Sequence, residues 1–233
     1  MIDKVKVKRF WDSRAAMYKS LPFESIANLE QDPANLDLKI KLETEKVFRW
    51  LGDVQGRRIL DLGAGVGQWA FRFVERDARH VTAVEYSAPL VEIGRAEAAV
   101  RETTNLDFVC SPAEKFIAQE PYDVAFISGL FVYMTDQQAE ELLRNLPRAC
   151  GSDTVVLLRD GTGLEKRHEI DDRPSEHLQT LYSATYRTRE EYIRLFEAAG
   201  FELIEDENMF DDGCPLNKYP ETRLRIYRFR PAR

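Results

Sequence analysis

The chain of 233 residues is 44% hydrophobic and 31% charged, the ordinary globular range, and its length allows one large domain or a domain with an appendage. Its 33 basic and 40 acidic residues give a formal charge of −7 with no Lys/Arg-rich run, which argues against nucleic-acid or anionic-membrane partners and favours a small molecule. Cys110, Cys150 and Cys214 have no short spacing, so neither a disulfide framework nor a metal site is expected. No signal-type apolar core and no run of eighteen apolar residues is present, so the expected location is the cytoplasm.

Residues 8 to about 51 read as helical, with breaks near Pro22 and Pro33. Asp32-Pro33 supplies a helix start, and Leu36, Ile40, Val47 and Leu51 mark one apolar face. From Arg57 the texture changes to short apolar runs at 58–62, 81–85, 106–110, 123–128 and 154–158, separated by helical patterns at 68–76, 89–100, 113–119 and 136–150. Such alternation predicts parallel strands with crossover helices, hence a doubly wound α/β sheet. Residues 161–188 break the rhythm as a polar insertion, too long for a plain connection and expected to be functional or to carry short helices. A helix over 189–199 ended by Gly200 follows, then strands at 201–205 and 223–229.

The strongest chemical signal is the run Ile59-Leu60-Asp61-Leu62-Gly63-Ala64-Gly65-Val66-Gly67, an apolar strand entering a glycine-rich turn before a helix. Glycine suits a tight turn where main chain must approach a ligand closely. Asp61 stands at that strand's end, and Glu85 closes the next strand, where a carboxylate can accept two hydrogen bonds from ribose hydroxyls.

The run ILDLGAGVGQWA followed by VTAVEYS resembles the S-adenosylmethionine-binding signature of class I methyltransferases. The segments LDFVCSPAEKF, YDVAFISGLFVYM and YRTREEYIRLFEAAGFELIE extend the resemblance over most of the chain. It implies a Rossmann-like, seven-stranded, mostly parallel sheet over residues 51–233, with residues 1–50 as a helical lid and 161–188 capping the substrate. It further implies S-adenosylmethionine as cofactor: Gly63, Ala64 and Gly65 beside its methionyl–ribose part, Glu85 on the ribose, Tyr86, Ala113 and Glu114 on the adenine, and Ser128 near the reacting carbon. Asp61 is placed where a ligand amine or a backbone amide can meet it.

The segment FWDSRAAMY at 10–18 resembles the W-D-x-x-A-x-x-Y lead-in of many small-molecule members. Trp11, Arg14 and Tyr18 lie at spacings of three and four on one helix face, offering an aromatic wall, a guanidinium for the cofactor carboxylate and a hydroxyl. On the acceptor side the candidates are Tyr133 after the fourth strand, Asp160 beside Arg159 at the end of the fifth, and His168 in the insertion, with His177, Tyr182 and Tyr186 nearby. The fourth strand ends Ser128-Gly129-Leu130-Phe131, unlike the N/D-P-P-Y segment of base-modifying nucleic-acid methyltransferases and without the carboxylates of metal-dependent members.

The leading expectation is therefore methyl transfer to a small molecule in specialised metabolism. The FWD-x-R-A-x-x-Y lead-in is also similar to azetidine-2-carboxylate synthases, which implies a second expectation: cyclisation of S-adenosylmethionine with release of methylthioadenosine. A cofactor-binding scaffold without turnover is the third.

Overall fold

The computed structural model describes residues 2–18, 21–30, 32–175 and 180–232. Three helices come first: α1 (Lys4–Ala16), the short α2 (Phe23–Ile26) and α3 (Pro33–Leu51). Asp3 caps α1 by accepting from the Val5 and Lys6 amides, and Asp32 caps α3 by accepting from Asn35 N, with Pro33 at the first helical turn. The chain then alternates through β1 (Arg58–Leu62), α4 (Gln68–Val74), β2 (His80–Glu85), α5 (Ala88–Val100), β3 (Leu106–Cys110), β4 (Tyr122–Ser128), α6 (Asp136–Asn145) and β5 (Cys150–Gly163). It ends with β6 (His168–Ser175), β7 (Thr180–Thr188), α7 (Arg189–Ala198), β8 (Phe201–Asn208) and β9 (Thr222–Pro231).

Strands run in the order β3-β2-β1-β4-β5, all parallel. β9 lies antiparallel to β5 and β8 antiparallel to β9. Alternate side chains divide between two apolar layers, as a sheet covered on both faces requires. Ile59, Val81, Phe126 and Leu157 pack with Val47 and Leu51 of α3, Phe73 of α4 and Val91 of α5. Leu60, Val84, Ile127 and Leu158 face Leu142 and Leu143 of α6 and Tyr192 and Phe196 of α7. The mostly parallel, doubly wound sheet expected from the alternation is present.

Two details differ from that expectation. The sheet has nine strands rather than seven, because the polar insertion extends β5 to Gly163 and then forms the antiparallel hairpin β6–β7 instead of short helices. Thr180, Tyr182, Thr185, Tyr186 and Thr188 recur along β7 and are residue types that suit a pleated surface. Residues 113–119, expected as a helix, form only a 3-10 turn over Ala113–Lys115, since Phe116 already adopts extended backbone.

Candidate active site

The carboxyl ends of β1, β2, β4 and β5 open into a cavity of about 740 Å³, the size range of small-molecule clefts and the place where an open α/β sheet binds ligands. α1 packs on α5 and on β7, so the N-terminal helix and the hairpin cover this edge from two sides. Phe10 meets Tyr182 at that junction, with ring centres 6.0 Å apart.

One wall is the glycine loop and the ends of β1 to β3. Asp61, Gly63, Ala64, Gly65, Glu85, Tyr86, Ala113 and Glu114 all line it. Glu85 is held by two main-chain donors, Gly65 N at 3.0 Å and Ser87 N at 2.8 Å. Asp61 is fully buried, and its Oδ2 has no hydrogen-bond partner among the described residues; the same holds for the Tyr86 hydroxyl. Burial, with the neighbouring Glu85 charge added, pushes the Asp61 carboxyl up to about 7, and burial also raises Glu85. Glu114 accepts from the Gln138 amide at 3.0 Å. Two buried carboxylates and a free buried acceptor fit a ligand that brings an ammonium group and hydroxyls.

The second wall is aromatic. Trp11 stands perpendicular to Tyr133 with centres 5.3 Å apart, and the Tyr133, Tyr182 and Tyr186 hydroxyls follow one another at 3.3 Å each. Burial holds all three phenols above their ordinary value, so they stay protonated near neutral pH. Asp160 is fully buried and accepts from Phe131 N at 2.7 Å and Gly161 N at 2.8 Å. Burial raises its carboxyl to about 6 against those two amides and the Arg187 charge. Arg187, wholly buried, donates to the carbonyls of Phe131 and Met134 and to Asp136, and so fixes the turn that carries Tyr133.

Three expected residues do not reach the cavity. Arg14 faces inward, and its guanidinium is occupied by the carbonyls of Ser25 at 2.6 Å, Ile26 at 3.2 Å and Asn28 at 3.2 Å, tying α1 to the segment around α2. It therefore has a structural task rather than the expected one on a cofactor carboxylate. Tyr18 is exposed beyond the end of α1. His168 pairs with Tyr186 across the hairpin, on the outer strand, so the register gives Tyr186 to the cavity and leaves His168 outside its lining. His177 lies outside the described residues.

Sequence reading missed a charged group on α3. Lys39 and Glu43 line the cavity, and Glu43 forms a buried ion pair with Arg159, whose guanidinium also donates to Ser128 Oγ at 2.7 Å. Burial opposes ionisation of Glu43, but the Arg159 and Lys39 charges win and hold it below the usual carboxylate range. A signal was available: Glu43 falls inside the apolar stripe Leu36, Ile40, Val47 of α3, where a charge needs a buried partner. Among the described residues no three His, Cys, Asp or Glu side chains converge to hold a metal ion, and no helix is long and apolar enough to cross a membrane.

Residues 59–153 match the family described as a methyltransferase domain. A phosphoethanolamine N-methyltransferase of Triticum aestivum is 25% identical over 193 residues, covering 82% of this chain and 35% of that protein. The chain thus spans about a third of the length of such curated relatives. Among solved structures, the Burkholderia thailandensis 1,6-didemethyltoxoflavin-N1-methyltransferase with bound 1,6-didemethyltoxoflavin and S-adenosylhomocysteine superposes with a TM-score of 0.68 at 19% identity, covering 95% of this chain and 88% of that one. The [4+2]-cyclase SpnF superposes with a TM-score of 0.67 at 20% identity, covering 81% and 80%. Residues 59–153 thus carry a methyltransferase domain, and the chain as a whole has the fold of S-adenosylmethionine-dependent methyltransferases.

Proposed function

We propose that the protein is an enzyme that transfers the methyl group of S-adenosylmethionine to a small molecule. The observation that carries this is the buried pair Asp61 and Glu85 on either side of the glycine loop, with Asp61 Oδ2 left without a partner inside the cleft. S-adenosylmethionine, when bound, supplies an activated methyl on a sulfonium. Asp61 would take its ammonium group, Glu85 the ribose hydroxyls, and Tyr86, Ala113 and Glu114 the adenine. Trp11 and Tyr133 offer aromatic faces to a cation, which ring quadrupoles attract. Residues 1–50 act as the lid and the hairpin as the second cover, excluding water from the aligned reactants.

Acceptor chemistry follows from the second wall. Burial raises the Tyr133 phenol, which favours an orienting role toward the acceptor over that of a base. On the aromatic wall Asp160, raised to about 6, is the carboxylate placed to receive a proton, although its two main-chain donors also make it structural. The net charge disfavours nucleic acid, and the three free cysteines suit the cytoplasm. Phosphoethanolamine, named for the plant relatives, is one acceptor to test.

The deciding experiment incubates purified protein with S-adenosylmethionine, alone and with a panel of small acceptors, followed by mass spectrometry. S-adenosylhomocysteine together with a methylated product, formed only with an acceptor present, is expected. Methylthioadenosine and azetidine-2-carboxylic acid formed without any acceptor would overturn methyl transfer. Binding with no turnover under any condition would leave a scaffold.

A further inference from the structure

The cavity wall made by α3 and the β8–β9 connection differs in charge from the glycine-loop wall. Lys39 comes from α3, Lys218 and Arg223 from the β8–β9 connection and the start of β9, and Arg159 from the end of β5. Glu43 is the one carboxylate lining this part of the cavity among the described residues. Positive charge is thus gathered here in a chain whose formal charge is −7.

These cations are not all neutralised by the protein. Glu43 is shared, since it pairs with Arg159 and also lies 3.6 Å from Lys39 Nζ. Lys39 otherwise donates to the neutral amide of Asn28 at 2.9 Å. Lys218 pairs with Glu30 at 2.6 Å. Arg223 donates to the carbonyls of Tyr219 and Thr222 and meets no carboxylate within salt-bridge distance among the described residues. Burial weakens the Lys39 ammonium against the pull of Glu43, the nearby Arg159 charge adds to the weakening, and Glu30, shared with Lys218, offsets part of it. Two carboxylates thus serve four cations, and an added anion would repay part of the desolvation.

We propose that this wall is an anion subsite: Lys39, Lys218 and Arg223 bind a carboxylate or phosphate group carried by the methyl acceptor. The proposal rests on the methyltransferase reading, and it divides the cavity by charge. Cationic centres of the cofactor meet Asp61, Glu85 and the aromatic rings, whereas the acceptor's anion meets the basic wall. A cofactor carboxylate is the other possible source of such an anion. The acceptor is favoured because Lys218, on the β8–β9 connection, and Arg223, at the start of β9, lie on elements that carry none of the residues assigned to the cofactor.

The test is calorimetric titration of the purified protein, with and without saturating S-adenosylhomocysteine. The probes are phosphoethanolamine against ethanolamine, and 4-hydroxybenzoate against its methyl ester. In each pair the anionic member is expected to bind at least about tenfold more tightly, the scale of one charge-assisted hydrogen bond. Lys218→Gln, a partly exposed position with little risk to folding, should remove about tenfold of that affinity and leave S-adenosylhomocysteine within about twofold. Lys39→Gln should act in the same direction. No preference for the anionic members overturns the proposal. So does a Lys218→Gln protein that loses affinity for S-adenosylhomocysteine but not for methylthioadenosine, which lacks the carboxylate. If S-adenosylhomocysteine does not bind at all, the methyltransferase reading fails by itself, and the titrations without it still decide the subsite.

Discussion

The guanidinium of Arg159 donates to the carboxylate of Glu43, joining the end of β5 to the middle of α3 inside the cavity wall. Both residues are almost fully buried, and the same guanidinium orients Ser128. Removing one partner strands the other charge, which costs about 3–5 kcal/mol at buried sites. Glu43→Ala should therefore lower the unfolding free energy measured in urea by an amount of that order. Glu43→Met combined with Arg159→Met should cost clearly less than the two single changes added together. A double-mutant cycle by chemical denaturation checks both; additive losses would show that the pair is not coupled.

Asp61 sets a pH dependence whose sign is fixed by its surroundings. Its carboxyl, ordinarily at 3.8, sits at about 7 in the folded protein because of burial and the Glu85 charge. The folded state therefore holds the proton more tightly than the unfolded chain between about pH 4 and 7. Stability without ligand falls as pH rises through that window, by about 1.4 kcal/mol for each pH step of one. Asp61→Asn should flatten part of this fall; Asp160, raised to about 6, and the buried Glu85, also raised, keep the remainder. If Asp61 receives the ligand's ammonium group, S-adenosylhomocysteine should bind more tightly as pH rises through 7, and Asp61→Asn should abolish that trend. Thermal melts and calorimetry at pH 5, 6, 7 and 8 read both effects.

The two carboxylates of that wall were legible in the sequence because each follows directly from a strand ending at a turn. Asp61 precedes Gly63-Ala64-Gly65, and Glu85 closes the apolar run Val81–Val84. Tyr133 and Asp160 were legible for the same reason, as residues just after β4 and directly after the apolar run of β5. Arg14 misled because helical spacing places Trp11 and Arg14 close in rotation, yet carbonyls of the Ser25–Asn28 segment claim the guanidinium. Local periodicity has no information about a loop that folds back from farther along. The hairpin was hidden in another way: charged residues at its base pair with α6, as Arg167 and Arg187 do with Asp136. Such non-local pairing makes a stable strand read like a solvated loop.

A short polar contact latches α1 to the sheet edge, Ser87 Oγ donating to Asp12 Oδ1 at 2.6 Å. Ser87 directly follows the stretch carrying Glu85 and Tyr86, so the latch reports on the ligand wall. Ser87→Ala should cost about 1 kcal/mol, the net worth of one such bond. It should raise the dissociation constant of S-adenosylhomocysteine several-fold and speed proteolysis within residues 1–30, while the unfolding midpoint of the sheet domain changes little. Limited proteolysis beside a binding titration is the measurement. An unchanged cleavage rate would mean that the latch does not hold α1 down.

Gly65 offers the sharpest separation between backbone cost and contact cost. Its φ is +59°, where a side chain is disfavoured by roughly 1–2 kcal/mol, and an added Cβ would stand 2.9 Å from the Cβ of Ala27. Gly56 has a similar φ of +72° with open space around it. Gly56→Ala thus measures the backbone term alone, and Gly65→Ala adds the collision with the segment linking α2 to α3. The Gly65 amide also donates to Glu85 at 3.0 Å, so a displaced loop loosens the carboxylate assigned to the ribose. Gly65→Ala is expected to exceed Gly56→Ala in stability loss and, unlike it, to weaken S-adenosylhomocysteine by about tenfold or more. Equal melting shifts and intact binding in both variants would show that the segment around Ala27 yields freely and does not press on the glycine loop.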